Sequence, residues 1–171
     1  MEAEDLPMLH EWIRRPHALR WYGDHGTYED VVAHYLPAIE GSDPTDHYIV
    51  TLDDTAIGMV QTYVVADYPD YAEVVGVTDR QTAGVDILIG EGELTGKGLG
   101  TEILRRFVDE IVFARAETTS CAADPDARNV ASLRAFEKAG FRVVRKFLDP
   151  SDGETHALVR LDRQGAQSAP R

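Results

Sequence analysis

Three stretches of this 171-residue chain have residue types and spacings suited to chemistry. The run GEGELTGKGLG over 90–100 sets glycines between an apolar strand-like segment and an apolar-periodic helix. Amides exposed at a helix N-terminus carry partial positive charge and bind phosphate, and glycine lets the backbone approach a pyrophosphate closely. A Walker loop is excluded, because Glu91 stands at its first glycine and Gly98 follows Lys97 where Ser or Thr is required. A dinucleotide GxGxxG is excluded by the G-x-G-x-G spacing. A flexible turn entering a helix is the bland alternative. The second stretch is Asp86 within Gly84-Val-Asp-Ile-Leu-Ile89, a carboxylate inside an apolar strand. Such burial is costly unless the group has a partner or a task, and it raises the pKa toward that of a useful base, whereas a bound cation lowers it. The bland alternative here is a strand-end Asp facing solvent. The third is Asn129-Val-Ala-Ser-Leu-Arg-Ala-Phe-Glu-Lys-Ala-Gly-Phe141, a helix pattern opened by Asn and closed by Gly.

Other candidates are weaker. The single cysteine, Cys121, lies in a strand pattern without a neighbouring His and reads as a buried core thiol. The six histidines show no HxxxH or HExxH ligand spacing, so no metal is expected.

The elements that must position these residues follow from periodicity. Residues 5–15 carry Leu6, Leu9, Trp12 and Ile13 along one helical stripe, and Thr27 with Asp30 forms a capping box opening a second helix. Segments 47–53 and 55–66 read as a hairpin turning at Asp53-Asp54, with apolar residues on both faces and therefore cover on both sides. Residues 67–84 read as a polar loop dotted with Tyr68, Asp70, Tyr71 and Asp79. A strand over 83–90 follows, with Val85, Ile87 and Ile89 on one face and Asp86 beside Leu88 on the other. A helix over 98–116, a strand over 118–123, a helix over 127–139 ending at Gly140, and strands 141–148 and 154–162 around an Asp152-Gly153 turn complete the order. This order predicts an α+β fold with a central, mixed and mostly antiparallel sheet flanked by helices. One domain over 1–163 is expected, with 164–171 as a flexible tail.

Composition narrows the function classes. The chain has 17 Lys and Arg against 30 Asp and Glu, a formal net charge of −13. That surface repels nucleic acid and anionic membranes, and it attracts a cation if the carboxylates converge on one site. No apolar run reaches the roughly 18 residues of a membrane span, and the acidic, amphipathic start lacks the features of a signal peptide. The cytoplasm is the expected location.

Together, the glycine loop and the Asn-opened helix ending in EKAGF, about thirty residues apart, resemble the acyl-CoA signature of GNAT acetyltransferases. Most of the chain is similar to aminoglycoside 6'-N-acetyltransferases, through EDLPMLHEWIRRPH, HYLPAI, IGMVQTYV, GVDILIGEGELTGKGLGTEIL and DPDARNVASLRAFEKAGF. The resemblance implies acetyl transfer from acetyl-CoA to the 6'-amine of an aminoglycoside. By it, Thr95, Gly96, Lys97, Gly98, Leu99, Gly100 and Thr101 hold the pyrophosphate, mostly through main-chain N–H groups. Ile87, Leu88 and Ile89 line the thioester, and Asn129, Ser132 and Phe136 flank the pantetheine arm. Asp86 is the implied base or substrate anchor, and Asp70, Asp79 and Asp124 hold the substrate's other ammonium groups. Trp21 and Tyr22, in a Trp21-Tyr22-Gly23 turn, border the acceptor site with Gln61, Tyr63 and Tyr68.

Two departures stand out. The family commonly has a tyrosine seven residues after the motif Asn as the acid for the departing thiolate, and this chain has Phe136 there. The family also begins with a strand before the first helix, which here is expected to be short or missing. A monomer or weak homodimer is expected. An acetyltransferase for another amine (siderophore precursor, polyamine or protein N-terminus) and a non-catalytic CoA-binding module stay open.

Overall fold

A computed structural model describes residues 1–22 and 26–164. The chain starts with a short 3-10 turn and α1 (Leu6–Ile13), α2 (Pro16–Tyr22) and α3 (Tyr28–Ile39). The expected helix over 5–15 is α1, which stops at Ile13, and an unpredicted second helix follows it, because Pro16 has no N–H for the preceding turn and starts a new one. Thr27 and Asp30 form the expected capping box on α3, with Asp30 N donating to Thr27 Oγ1 at 3.3 Å and Thr27 N to Asp30 Oδ2 at 2.8 Å. No strand precedes α1 among the described residues. Gly23 of the expected aromatic-glycine turn, and the tail from 165 onward, lie outside them.

Six strands form one sheet: β1 (Asp46–Leu52), β2 (Thr55–Val64), β3 (Thr82–Ile89), β4 (Ser120–Ala123), β5 (Arg142–Leu148) and β6 (Thr155–Asp162), in the order β1-β2-β3-β4-β6-β5. Every pairing is antiparallel except β3 with β4. That parallel pair is joined by α5 (Leu99–Phe107), since parallel strands need a long crossover. The predicted 98–116 helix ends earlier: a π-type turn over Val108–Val112 closes it, with Phe113 N bonded to Val108 O at 2.8 Å. The predicted 67–84 loop contains α4 (Pro69–Val75). Its buried residues are only Ala72 and Val75, too few for a periodic signal.

The sheet is covered on both faces. One face carries Val60, Val85, Cys121, Ala123 and Val159 against α5 and α6 (Val130–Lys138). On the other, Met59 and Leu88 pack under Leu9, Trp12, Val31 and Tyr35 of α1 and α3. Ala122 and Leu158 pack on that same face under Ala72 and Val75 of α4. Between these two packets lie cavities lined by Gln61 and Tyr63 of β2 and Asp86 of β3.

β3 and β4 pair only over Thr82–Gly84 against Ser120–Ala122, although β3 runs on to Ile89. β4 ends at Ala123, so beyond Gly84 the edge of β3 from Val85 to Ile89 has no strand partner on that side.

The root of β3's exit is packed tightly. A Cβ on Gly90 would lie 2.2 Å from Trp12 Cδ2, and Trp12 is 2% exposed. The Trp12 indole N–H also donates to Glu91 Oε1 at 3.2 Å. Gly90→Ala is therefore expected to destabilise the fold by about 2 kcal/mol, the cost of overpacking a dense core. Differential scanning calorimetry should record a Tm lower by roughly 4–8 °C. An unchanged Tm would refute the close contact.

Candidate active site

The loop after β3 leaves its main chain open. Gly96 and Gly98 take φ of 72° and 87°, conformations that L side chains rarely adopt, and nothing lies within 4 Å of a Cβ at either. Gly98 is the N-cap of α5 and offers no side-chain cap, so the first amides of the helix remain for a ligand. The loop is held from behind. Thr95 Oγ1 donates to Gly92 O at 2.7 Å, and Arg15 binds Gly90 O at 2.8 Å and forms an ion pair with Glu91. Gly100 rests on α6, where its Cβ would meet Ala135 at 3.6 Å, and Thr101 Oγ1 faces Ala135 O at 3.5 Å. The Thr95 and Thr101 hydroxyls are thus engaged within the protein, and Leu88 is buried in the core under α1 and α3. What these three offer a cofactor is main chain. Lys97, next to the glycines, is exposed.

A cavity of about 280 Å³ lies where the β3–β4 pairing has ended. It is lined from one face by Ile87, Ala123 and Phe136 and from the other by Gln61, Asp86 and Tyr35. Asn129 and Ser132 stand at its α6 side. The Asn129 carbonyl caps α6, accepting from Ser132 N at 3.1 Å, which leaves its NH2 donors for a ligand. Phe136 is 3% exposed and packs edge-on against Phe141, with ring centroids 5.0 Å apart. It offers a wall and no proton.

Asp86 lies where the two halves of the cavity meet. It keeps some surface toward the cavity but sits deep among protein atoms, and this burial, followed by the negative charge of Asp124, pushes its pKa up to about 6. Hydrogen bonds from Gln61 (Nε2 to Oδ2, 2.9 Å) and Tyr63 pull it partly back. The antiparallel register places Gln61 directly opposite Asp86, and the Tyr63 ring lies over Gly84, where a Cβ would be 2.4 Å from it. Two polar atoms on this wall, Gln61 Oε1 and the Tyr22 hydroxyl, are buried without a hydrogen-bond partner. Unsatisfied buried polar atoms around a half-ionised carboxylate are what a bound amine would complete.

Asp124 is in the same cavity. Its Oδ1 accepts from Tyr71 OH at 2.5 Å, and its Oδ2 lies 3.4 Å from His156 Nδ1. Burial first, and then Asp124, push the Tyr71 phenol well above its ordinary value, so it stays a donor. Trp21 and Tyr22 also line the cavity, as expected. A second cavity of about 430 Å³ adjoins it through His34 and Gln61, with Tyr63, Tyr68, Tyr71 and Asp43 in its wall. Burial acts to raise the Asp43 pKa, but hydrogen bonds from Tyr68 OH (2.6 Å) and Thr45 N (2.9 Å) prevail and hold it below its ordinary value. Burial, then the His34 charge, drop His47 to about 4, so it is neutral there.

The structure separates two aspartates from this group. Asp70 is exposed in the first turn of α4 and lines neither cavity. Asp79 accepts from Thr82 Oγ1 at 2.8 Å and from Gln81 N at 3.0 Å, fixing the start of β3 at the end opposite the glycine loop. Sequence reading missed Asp43, Tyr35, His34 and His156. Asp43 lies between two turn residues and has no motif, and the histidines come from separate elements. Asp124, Asp149 and His156 present ligand-type atoms within 4.8 Å of one another, a trio that no short spacing could announce.

Residues 2–148 match the model of the acetyltransferase (GNAT) domain. The chain is 36% identical over 146 residues to an aminoglycoside N(6')-acetyltransferase type 1 of Klebsiella pneumoniae, covering 82% of this chain and 71% of that protein. The crystal structure of aminoglycoside acetyltransferase AAC(6')-Ib with coenzyme A and kanamycin superposes with a TM-score of 0.85 at 33% identity, over 96% of this chain and 92% of that one. The form with coenzyme A alone gives the same TM-score at 34% identity. With a family model matched over residues 2–148, relatives more than 30% identical and these structures superposing over nearly the whole chain, the chain belongs to the GNAT acetyltransferases, in the aminoglycoside 6'-N-acetyltransferase family.

Proposed function

We propose that this protein transfers the acetyl group of acetyl-CoA to the 6'-amine of aminoglycosides, as a single domain over 1–163 working in the cytoplasm. The observation that carries this reading is the cavity lined from both faces of the sheet, with Asn129, Ser132 and Phe136 of α6 on one side and an acidic, aromatic wall on the other. The amides after Gly98 bind pyrophosphate, the Asn129 amide group donates to the pantetheine arm, and Phe136 packs beside it. The open edge of β3 from Val85 to Ile89 supplies main-chain N–H groups to the thioester carbonyl.

The acceptor enters from the other face. Aliphatic amines titrate at roughly 8 to 10, so freeing the lone pair at pH 7 costs about 1.4–4 kcal/mol. Asp86, directly or through one water, takes that proton while Gln61 Oε1 accepts a second N–H. The nitrogen bonds to the acetyl carbon, the oxyanion is held by the β3 amides, the C–S bond breaks, and the nitrogen gives up its second proton to solvent as the amide forms. The thiolate, near pKa ~8.5 as a free thiol, leaves without an acid at Phe136 and is protonated by solvent. Asp124 and Asp43 bind other ammonium groups of the substrate, the latter through the adjoining cavity, and Tyr68 and Tyr71 pack against its rings. The −13 charge of the chain steers the polycation toward them.

The test is release of free thiol from acetyl-CoA with kanamycin, paired with an analogue carrying hydroxyl in place of the 6'-amine. Release with kanamycin and none with the analogue is expected. Release with neither, while acetyl-CoA still binds, would refute the acceptor.

A further inference from the structure

His156 begins near the turn between β5 and β6 and reaches into the cavity wall, and its two ring nitrogens both face oxygen acceptors. Nδ1 lies 2.7 Å from the main-chain carbonyl of Asp124, and Nε2 lies 3.0 Å from Asp152 Oδ2. A carbonyl cannot donate. The Asp152 carboxyl is held below its ordinary pKa, first by the Glu154 amide (2.8 Å) and then by His156 itself, so it too is an acceptor. Neither neutral tautomer has two N–H groups, so only the imidazolium satisfies both contacts. The surroundings agree. Asp149 Oδ2 is 4.0 Å from Nδ1, and the Phe147 ring packs at 6.0 Å. Asp126 forms a β-bridge with His156 and is itself tied to Arg128, which also pairs with Glu154. Hydrogen bonding to Asp124 above all pushes the imidazole up to about 10.

A doubly protonated ring has no lone pair for a metal, and the trio of Asp124, Asp149 and His156 is filled by its own cation. That cation touches both the main chain and the carboxylate of Asp124, whose other oxygen is held by Tyr71. Asp124 in turn is the charged group acting on Asp86; the remaining neighbours there, Gln61 and Tyr63 from β2, Tyr22, Tyr35, Tyr71 and Cys121, are neutral. We infer that His156 is a positioning residue of the site, a fixed imidazolium that aims Asp124 and, by offsetting its charge, keeps Asp86 available as a base. This rests on the reading of Asp86 as the base, but its measurement does not.

The measurement is NMR titration of the ligand-free protein. His156 ring nitrogens should keep imidazolium shifts to at least pH 8.5, and in His156→Gln the Asp86 Cγ midpoint should rise by about one unit, a tenfold change in proton affinity. Imidazole titrating below pH 7, or an Asp86 midpoint that stays put in folded His156→Gln, would overturn the proposal. Should that variant not fold, Asp152→Asn in the exposed turn is expected to lower the His156 midpoint by about one unit, and an unmoved midpoint counts against it. Where the wild type acetylates kanamycin, His156→Gln should lose about tenfold in kcat/KM at pH 5.5 and less than threefold at pH 8.5. An equal loss at both pH values would mark a purely structural role. No acetylation of any aminoglycoside by the wild type would remove the proposed function and leave the two titrations to decide this inference.

Discussion

Asp86→Asn is expected to lower kcat with kanamycin by about 10³-fold, within the range general-base catalysis contributes, while the KM for acetyl-CoA stays within about twofold. The asparagine keeps the volume and can still accept from Gln61, but it cannot take the ammonium proton. The wild-type rate should follow the ionised fraction of Asp86. Its carboxyl is raised to about 6, so kcat/KM falls as pH drops through about 6 and levels off above it. In Asp86→Asn this acidic limb should vanish along with the activity. The variant should also be more stable than the wild type at pH 7.5. A carboxylate whose folded pKa lies above its unfolded value of 3.8 destabilises the fold once ionised, by up to about 3 kcal/mol for a shift of about two units. That penalty is absent below the unfolded pKa, grows as pH rises, and is fully present above the folded one. A calorimetric Tm higher than the wild type, together with lost turnover, separates a lost base from a damaged fold. Full activity across the pH range would end the assignment of Asp86.

Gly98→Val is expected to raise the KM for acetyl-CoA by about 100-fold, with the KM for aminoglycoside within about threefold. Gly98 has φ of 87° at the N-cap of α5, where a β-branched residue is strained by about 1–2 kcal/mol or more. The open space above it is where a pyrophosphate would meet the first helix amides, and a valine side chain would fill that space. Isothermal titration with coenzyme A reads the effect without turnover. Unchanged affinity in a folded variant would move the pyrophosphate away from this loop.

The part of the site made of local sequence was legible in advance. The glycine loop, the Asn cap of α6 and the alternation placing Asp86 opposite Val85 and Ile87 each depend on contacts within a few residues, so spacing alone announces them. The β1–β2 turn is of the same kind: Asp53 and Asp54 both take positive φ, 48° and 60°, as a two-residue hairpin requires. The same reading blurred where tertiary packing overrides propensity. α4 has only two buried residues and depends on Ala122 and Leu158 beneath it, and α5 ends in a π turn that no residue pattern marks.

What the sequence by itself determined is the family, the fold class and the order of the elements along the chain, with Asp86 placed on the strand before the glycine loop. The tertiary structure decided which acidic residues line the cavities. Asp70 and Asp79 have the same side chain as Asp43 and Asp124, and in the linear text all four sit in polar segments between elements. Their surroundings diverge because folding points Asp79 at Thr82 and leaves Asp70 exposed to solvent, while Asp43 and Asp124 are half-buried beside phenols that hold them in the cavity walls. A carboxylate's charge, pKa and reach depend on which distant groups surround it. Those neighbours, Tyr68 for Asp43 and Tyr71 and His156 for Asp124, are 25 or more residues away along the chain and meet only when the sheet closes.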